Sequence, residues 1–95
     1  MSKTKKKESK KFREIRDRIM ECNEEALLAN GFEAALIGYV EIFSKTIALY
    51  DKAKCLKILQ RQGMSEDEAS EFFEFNTQGA WMGEGTPAFA TILRK

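Results

Sequence analysis

At Asn30-Gly31 the apolar rhythm of this chain changes period, and that change restricts the fold more than any other feature. Before it, Phe12, Ile15, Ile19, Cys22 and Ala26 recur at alternating spacings of three and four, which align side chains on one stripe of a helix. After it, β-branched and aromatic residues crowd Leu36-Ile37-Gly38-Tyr39-Val40-Glu41-Ile42-Phe43, the composition of a strand. With 95 residues there is room for one domain and one modest core. Helix and sheet must therefore share that core, and the expected class is α+β.

The punctuation divides the chain further. A helix is predicted from Phe12 to Asn30-Gly31, a natural C-cap pair. Its stripe packs either on its own domain or across a two-fold axis, because two and a half heptads are too few to specify a coiled coil. Ser44-Lys45-Thr46 is short and polar before Ile47-Ala48-Leu49-Tyr50, which predicts a β-hairpin. Strand alternation places Leu36, Val40 and Ile42 on one face and Ile37, Tyr39, Glu41 and Phe43 on the other. Asp51 is a suitable N-cap for a helix from Lys52 to about Gln62, with Cys55, Leu56, Ile58 and Leu59 inward and Gly63 as the stop. Ser65 and Glu68 match the S-x-x-E capping box, with Met64 placed to staple onto Ala69. That helix is expected from Glu66 to Thr77, with Ala69, Phe72, Phe73 and Asn76 inward and the Asn76 amide clamped to the following loop. Gly79, Gly83, Gly85 and Pro87 then break the chain, and Ala88 to Leu93 reads as a last strand. The expected order is αββααβ with a small, mainly antiparallel sheet. Residues 1–11 form a flexible basic arm and residues 12–95 a single domain.

A net charge of +1 hides a division. Residues 1–18 hold nine basic and three acidic side chains, a net +6, and the remainder carries a net −5. Lys3, Lys5, Lys6, Lys7, Lys10, Lys11 and Arg13 are the candidates for neutralising nucleic-acid phosphates. No interleaved aromatics or recognisable nucleic-acid motif accompany them, and a solubilising tail has the same composition. The acids Glu66, Asp67, Glu71, Glu74 and Glu84, with Trp81 as an aromatic anchor, are the candidates for contact with a protein partner. Gly83-Glu84-Gly85 carries an acid where a phosphate would sit, and no Gly-Lys-Ser/Thr follows, unlike a phosphate loop.

Histidine is absent, which removes the commonest general base and the commonest transition-metal ligand together. Ser/His and Cys/His hydrolases are excluded, and two cysteines are too few for a structural zinc site. Neither catalysis nor a metal or cofactor is expected. Cys22 and Cys55 are isolated and read as reduced, mostly buried thiols. No apolar run approaches a membrane span, and charge occupies the place of a signal peptide's apolar stretch. A cytoplasmic location is expected.

Residues 31–89 resemble a family of short uncharacterised proteins of bacteriophages and prophages. The resemblance is carried by Gly31-Phe32-Glu33, Ala35-Leu36-Ile37-Gly38-Tyr39, Ala48-Leu49-Tyr50-Asp51, Lys54-Cys55, Ile58-Leu59, Gly63-Met64 and Glu68-Ala69. Its most specific part runs through Phe73-Glu74-Phe75-Asn76, Gly79-Ala80-Trp81 and Gly83-Glu84 to Thr86-Pro87-Ala88-Phe89. Members usually carry proline in the first hairpin and an acid before Gly63-Met64, where this chain has Ser44-Lys45-Thr46 and Gln62. The resemblance implies a phage context and supplies no activity. Small phage proteins without catalytic machinery often bind a host protein and block or redirect it, so a protein-binding module acting on a host or anti-phage defence component, as a homodimer, is the leading expectation. The alternative is a nucleic-acid-binding accessory protein that uses the basic arm.

Overall fold

The computed structural model describes residues 9–78 and 83–93, with the side chains of residues 77 and 78 left aside. The Ser9 hydroxyl accepts the Phe12 N–H at 3.0 Å and opens helix α1, Lys10–Cys22. Lys10 and Lys11 thus belong to a helical first turn. The helix ends at Asn23, well before Asn30-Gly31, because the Asn23 side chain bonds elsewhere. Its Nδ2 donates to the Thr46 carbonyl at 2.9 Å and its Oδ1 accepts the Glu25 N–H at 3.1 Å, offering the backbone an alternative to further helix. Ala26 is buried all the same, from an irregular segment. Cys22, at the last helical position, is exposed, and only Cys55 is a buried thiol.

A single 3-10 turn, Glu33–Ala35, leads into β1, Leu36–Ile42, and β2, Lys45–Asp51, which pair antiparallel. The turn between them is Phe43-Ser44, one step earlier than the polar triplet suggests. Both residues are left-handed, with φ of 50° and 68°, as a two-residue type I′ turn demands to match strand twist. The hairpin thus closes on non-glycine residues, at about 1–2 kcal/mol each. A bulge at Ile37 separates the pair Leu36/Tyr50 from the pair Gly38/Leu49. It shifts the alternation, so Leu36 shares the face of Tyr50 while Val40 and Ile42 lie opposite, beside Ile47 and Leu49. Leu36, Val40 and Ile42 are therefore not on one face.

The Asp51 carboxylate accepts the Ala53 N–H at 3.0 Å and caps α2, Lys52–Arg61. Gly63 ends it with φ of 110°. Its N–H donates to the Gln60 carbonyl at 3.0 Å, and the Met64 N–H reaches back to Leu59 at 3.3 Å, a complete Schellman motif. Helix α3, Glu66–Phe73, opens on the full capping box, with Ser65 and Glu68 exchanging bonds of 2.8 and 3.1 Å. It passes into a π-helical turn, Glu74–Gln78, where a plain α-helix to Thr77 was expected. The inward stripe is Ala69 and Phe73 alone. Phe72 and Asn76 are exposed, and the Asn76 amide donates to the Phe72 carbonyl at 3.2 Å within its own helix, so it clamps no loop.

Strand β3, Ala88–Ala90, adds to β2 in parallel, giving a mixed sheet in the order β1-β2-β3. The helical pair returns the chain to the starting end of β2, and β3 therefore runs in its direction. Phe12 and Ile19 of α1, Ala48 and Tyr50 of β2, Cys55 and Leu59 of α2, and Ala69 and Phe73 of α3 form one buried cluster. Val40, Ile42, Ile47 and Leu49, on the other face, do not join it, and of these Ile47 alone is buried. Three ring contacts bind the cluster: Phe32 edge-on to Phe73 at 6.2 Å, Phe73 edge-on to Phe89 at 5.0 Å, and Phe89 stacked on Tyr50 at 5.4 Å.

Tyr50 is 0% exposed, and its hydroxyl accepts the Ala29 N–H at 2.8 Å. Burial pushes its phenol from 10.0 up to about 12, and the Cys55 thiol from 9.0 up to about 12. The unfolded phenol ionises near pH 10 while the folded one stays neutral, so its share of stability is whole below about pH 10 and is lost as pH rises through about 12. Tyr50→Phe strands the Ala29 N–H and is expected to lower stability by about 1–3 kcal/mol near neutrality. Because it cannot ionise, its further loss on going from about pH 9 to about pH 11 should be smaller than that of the wild type. Urea titrations at both pH values check this; equal neutral stability, or an equal alkaline loss, would refute it.

Candidate functional site

Helix α3 has room on its inner stripe for two side chains, Ala69 and Phe73, spaced four apart. Three phenylalanines in four residues, Phe72, Phe73 and Phe75, cannot all use that stripe. Phe73 takes it and is fully buried; Phe72 is left 40% exposed and Phe75, on the π-helical turn, 82% exposed. Around them Glu66, Asp67, Glu71 and Glu74 are all exposed, as is the capping Glu68. Glu66, Asp67 and Glu68 occupy the first turn, where the helix dipole favours anions. Glu71 and Glu74 lie beyond that turn, and no basic residue falls between Glu66 and Phe75. The result is a convex ridge with two aromatic rings in an acidic surround. Exposed aromatic rings beside a run of carboxylates are the feature of this surface that burial in the core does not explain. Reading Phe72 as core concealed this ridge in the sequence; the crowding of three phenylalanines beside an Ala/Phe pair at i, i+4 was the signal that could have revealed it.

Glu84 is not brought to the ridge. Its carboxylate lies 3.4 Å from Lys45 Nζ, at the start of β2, an exposed pair worth at most about 1 kcal/mol. Both line an open cavity of about 330 Å³ with Asn23, Glu25, Leu27, Gly83 and Gly85. The glycines there serve the backbone. Gly83 has φ of 104°, and a Cβ on Gly85 would collide with the Glu25 carbonyl. The Gly85 carbonyl accepts the Leu27 N–H at 2.9 Å, and the Thr86 N–H and hydroxyl both donate to the Gly83 carbonyl, at 3.1 and 2.7 Å. Trp81 lies outside the described residues.

Of the basic candidates, Lys3, Lys5, Lys6 and Lys7 also lie outside the described residues. Lys10, Lys11 and Arg13 are exposed at the start of α1, whose first turn holds no acid. The two helices are thus opposite in design: α3 places anions at its positive end, α1 cations. Among the described residues no three acid or thiol groups converge as a metal ion requires, and no helix is long and apolar enough to cross a membrane.

Since Phe75 is 82% exposed, Phe75→Ser is expected to leave stability within about 0.5 kcal/mol of the wild type. Phe73→Ala, two residues earlier on the buried stripe, should cost about 3–5 kcal/mol. Thermal melts of the two variants separate ridge from core, and a large loss from Phe75→Ser would mean that the ring is packed after all. Compared with protein-family models, curated proteins and solved structures, the chain matches none.

Proposed function

We propose that this chain is a non-catalytic protein-binding module whose α3 ridge docks on a basic, apolar-pocketed surface of a partner protein. The observation that carries the reading is Phe75, 82% exposed among carboxylates. Burying such a ring contributes about 1.5–3 kcal/mol, and the surrounding acids steer and select a Lys/Arg-rich partner. The phage resemblance of residues 31–89 supplies the rest of the proposal: the partner is a host or anti-phage defence component that the module inhibits or redirects in the cytoplasm. The test is capture from host lysate at moderate salt with three baits: the wild type, Phe75→Ser, and a variant with Glu71 and Glu74 reversed to lysine. A partner held by the wild type and released by both variants supports the ridge. Recovery of the same proteins by all three, or of none by the wild type, refutes it.

One observation favours a second reading, a nucleic-acid-binding accessory protein. Lys10 and Lys11 stand at the positive end of α1, whose first turn holds no acid, an arrangement costing about 0.3–1 kcal/mol per charge at low salt. A phosphate backbone would relieve it. Deleting the arm through residue 11 would also remove the Ser9 cap and confound folding with binding, so Lys10, Lys11 and Arg13 should instead be changed to Gln together. DNA and RNA titrations at several salt concentrations should then show a salt slope reduced by about one for each phosphate that is no longer neutralised. Absence of wild-type binding at low salt would dispose of this reading.

A further inference from the structure

The outer edge of β1 is unpaired among the described strands. In the described sheet β2 is bonded on both sides and β3 is only three residues long, whereas β1 offers seven residues with one neighbour. Monomeric proteins blunt such an edge with lysine, proline or a bulge along its length. Here the bulge sits at the start, at Ile37, and the regular stretch Gly38-Tyr39-Val40-Glu41-Ile42 has neither lysine nor proline and a single charge, Glu41.

The hairpin fixes which groups face outward. A two-residue turn makes Ile42 and Lys45 a hydrogen-bonded pair, and alternation then bonds Val40 to Ile47 and Gly38 to Leu49. The N–H and C=O of Tyr39 and Glu41 therefore point away from β2, and no other described backbone group bonds them. Both side chains are exposed, Tyr39 by 40%.

We propose that β1 joins the β1 of a second copy, antiparallel across a two-fold axis through Val40, making a six-stranded sheet. In this register Tyr39 exchanges both backbone bonds with the partner's Glu41, and Glu41 with the partner's Tyr39, so all outward groups are used. The Tyr39 phenol shares a face with the partner's Glu41 carboxylate and can donate to it. On the other face Val40 meets its own copy, and Ile42, 44% exposed, lies across from the partner's Gly38. Nothing would contact a Cβ on that glycine within its own chain, so there is space for the isoleucine. Like charges never stand opposite each other. Centring the axis on Tyr39 would instead set Glu41 against the bulged Ile37, where regular pairing fails. The half-buried Val40 and exposed Ile42 of this face, next to the buried Ile47, then continue into the same residues of the partner. The edge and the α3 ridge are separate surfaces, so failure of one leaves the other standing.

The test uses the full chain with Cys22 replaced by serine, Cys55 being buried. Non-hydrogen-bonded partners lie about 4.5 Å apart at Cα, within disulfide range. Under mild oxidation Val40→Cys is expected to form covalent dimer at least about tenfold more readily than Tyr39→Cys, which this register sets against Glu41. In sedimentation equilibrium the wild type should dimerise, and Tyr39→Pro, which removes an outward N–H and leaves the ladder to β2 intact, should weaken the dimer at least about tenfold. A monomeric wild type at every soluble concentration, equal cross-linking of the two cysteine variants, or a dimer indifferent to Tyr39→Pro while its fold persists would each overturn the proposal.

Discussion

Burying Tyr50 is the constraint on which the other elements depend. A phenol removed from water needs a hydrogen-bond partner, and here the partner is the Ala29 N–H, which belongs to no helix or strand. That bond holds the irregular segment after α1 against the sheet. The ring also needs cover, and Phe89 provides it by stacking, which brings in β3. The next residue, Asp51, starts α2. One residue of the central strand thus ties the N-terminal helix, the third strand and the helical pair to one another.

Gathering the main core on the Tyr50 face leaves other surfaces, with apolar side chains such as Ile42 and Phe43 exposed, to be managed by the choice of residue. The acids of α3 keep two phenylalanines soluble, and the two-residue hairpin tip holds Phe43 at 96% exposure. Exposed apolar side chains of this size, set apart on a helix ridge and a hairpin tip, are separate features rather than one contiguous patch. A compact domain with few buried side chains has little surplus stability. The strained Phe43-Ser44 turn and the cations at the start of α1 consume part of it.

Where structure is decided within a few residues, the sequence was legible. Asp51, the Ser65–Glu68 box and the Gly63 stop all act as their positions suggested, because a cap needs only its own turn. The element order and the α+β class follow from the alternation of such signals. The larger misreadings of topology involve a distant partner. Asn23 ends α1 by reaching Thr46, the bulge at Ile37 depends on how β1 registers with β2, and the parallel direction of β3 depends on where the helical pair returns the chain. In the candidate site the acids were legible as an outer face. Phe72 and Phe75 were not, since hydrophobicity alone does not say which of three neighbouring rings a two-place stripe will accept.

The stacking of Phe89 on Tyr50 has a consequence for synthesis of the chain. Tyr50, Phe73 and the hairpin are all made before Phe89, and the hairpin and helical pair can form from local contacts as they emerge. The parallel strand cannot, because its contacts with β2 span the entire helical crossover. Until residues 88–90 leave the ribosome, one flank of the Tyr50 ring and one edge of Phe73 stay bare, and β2 keeps an open edge. A stalled or prematurely terminated product would expose an aromatic cluster and an unpaired central strand, the kind of surface that chaperones and proteases recognise.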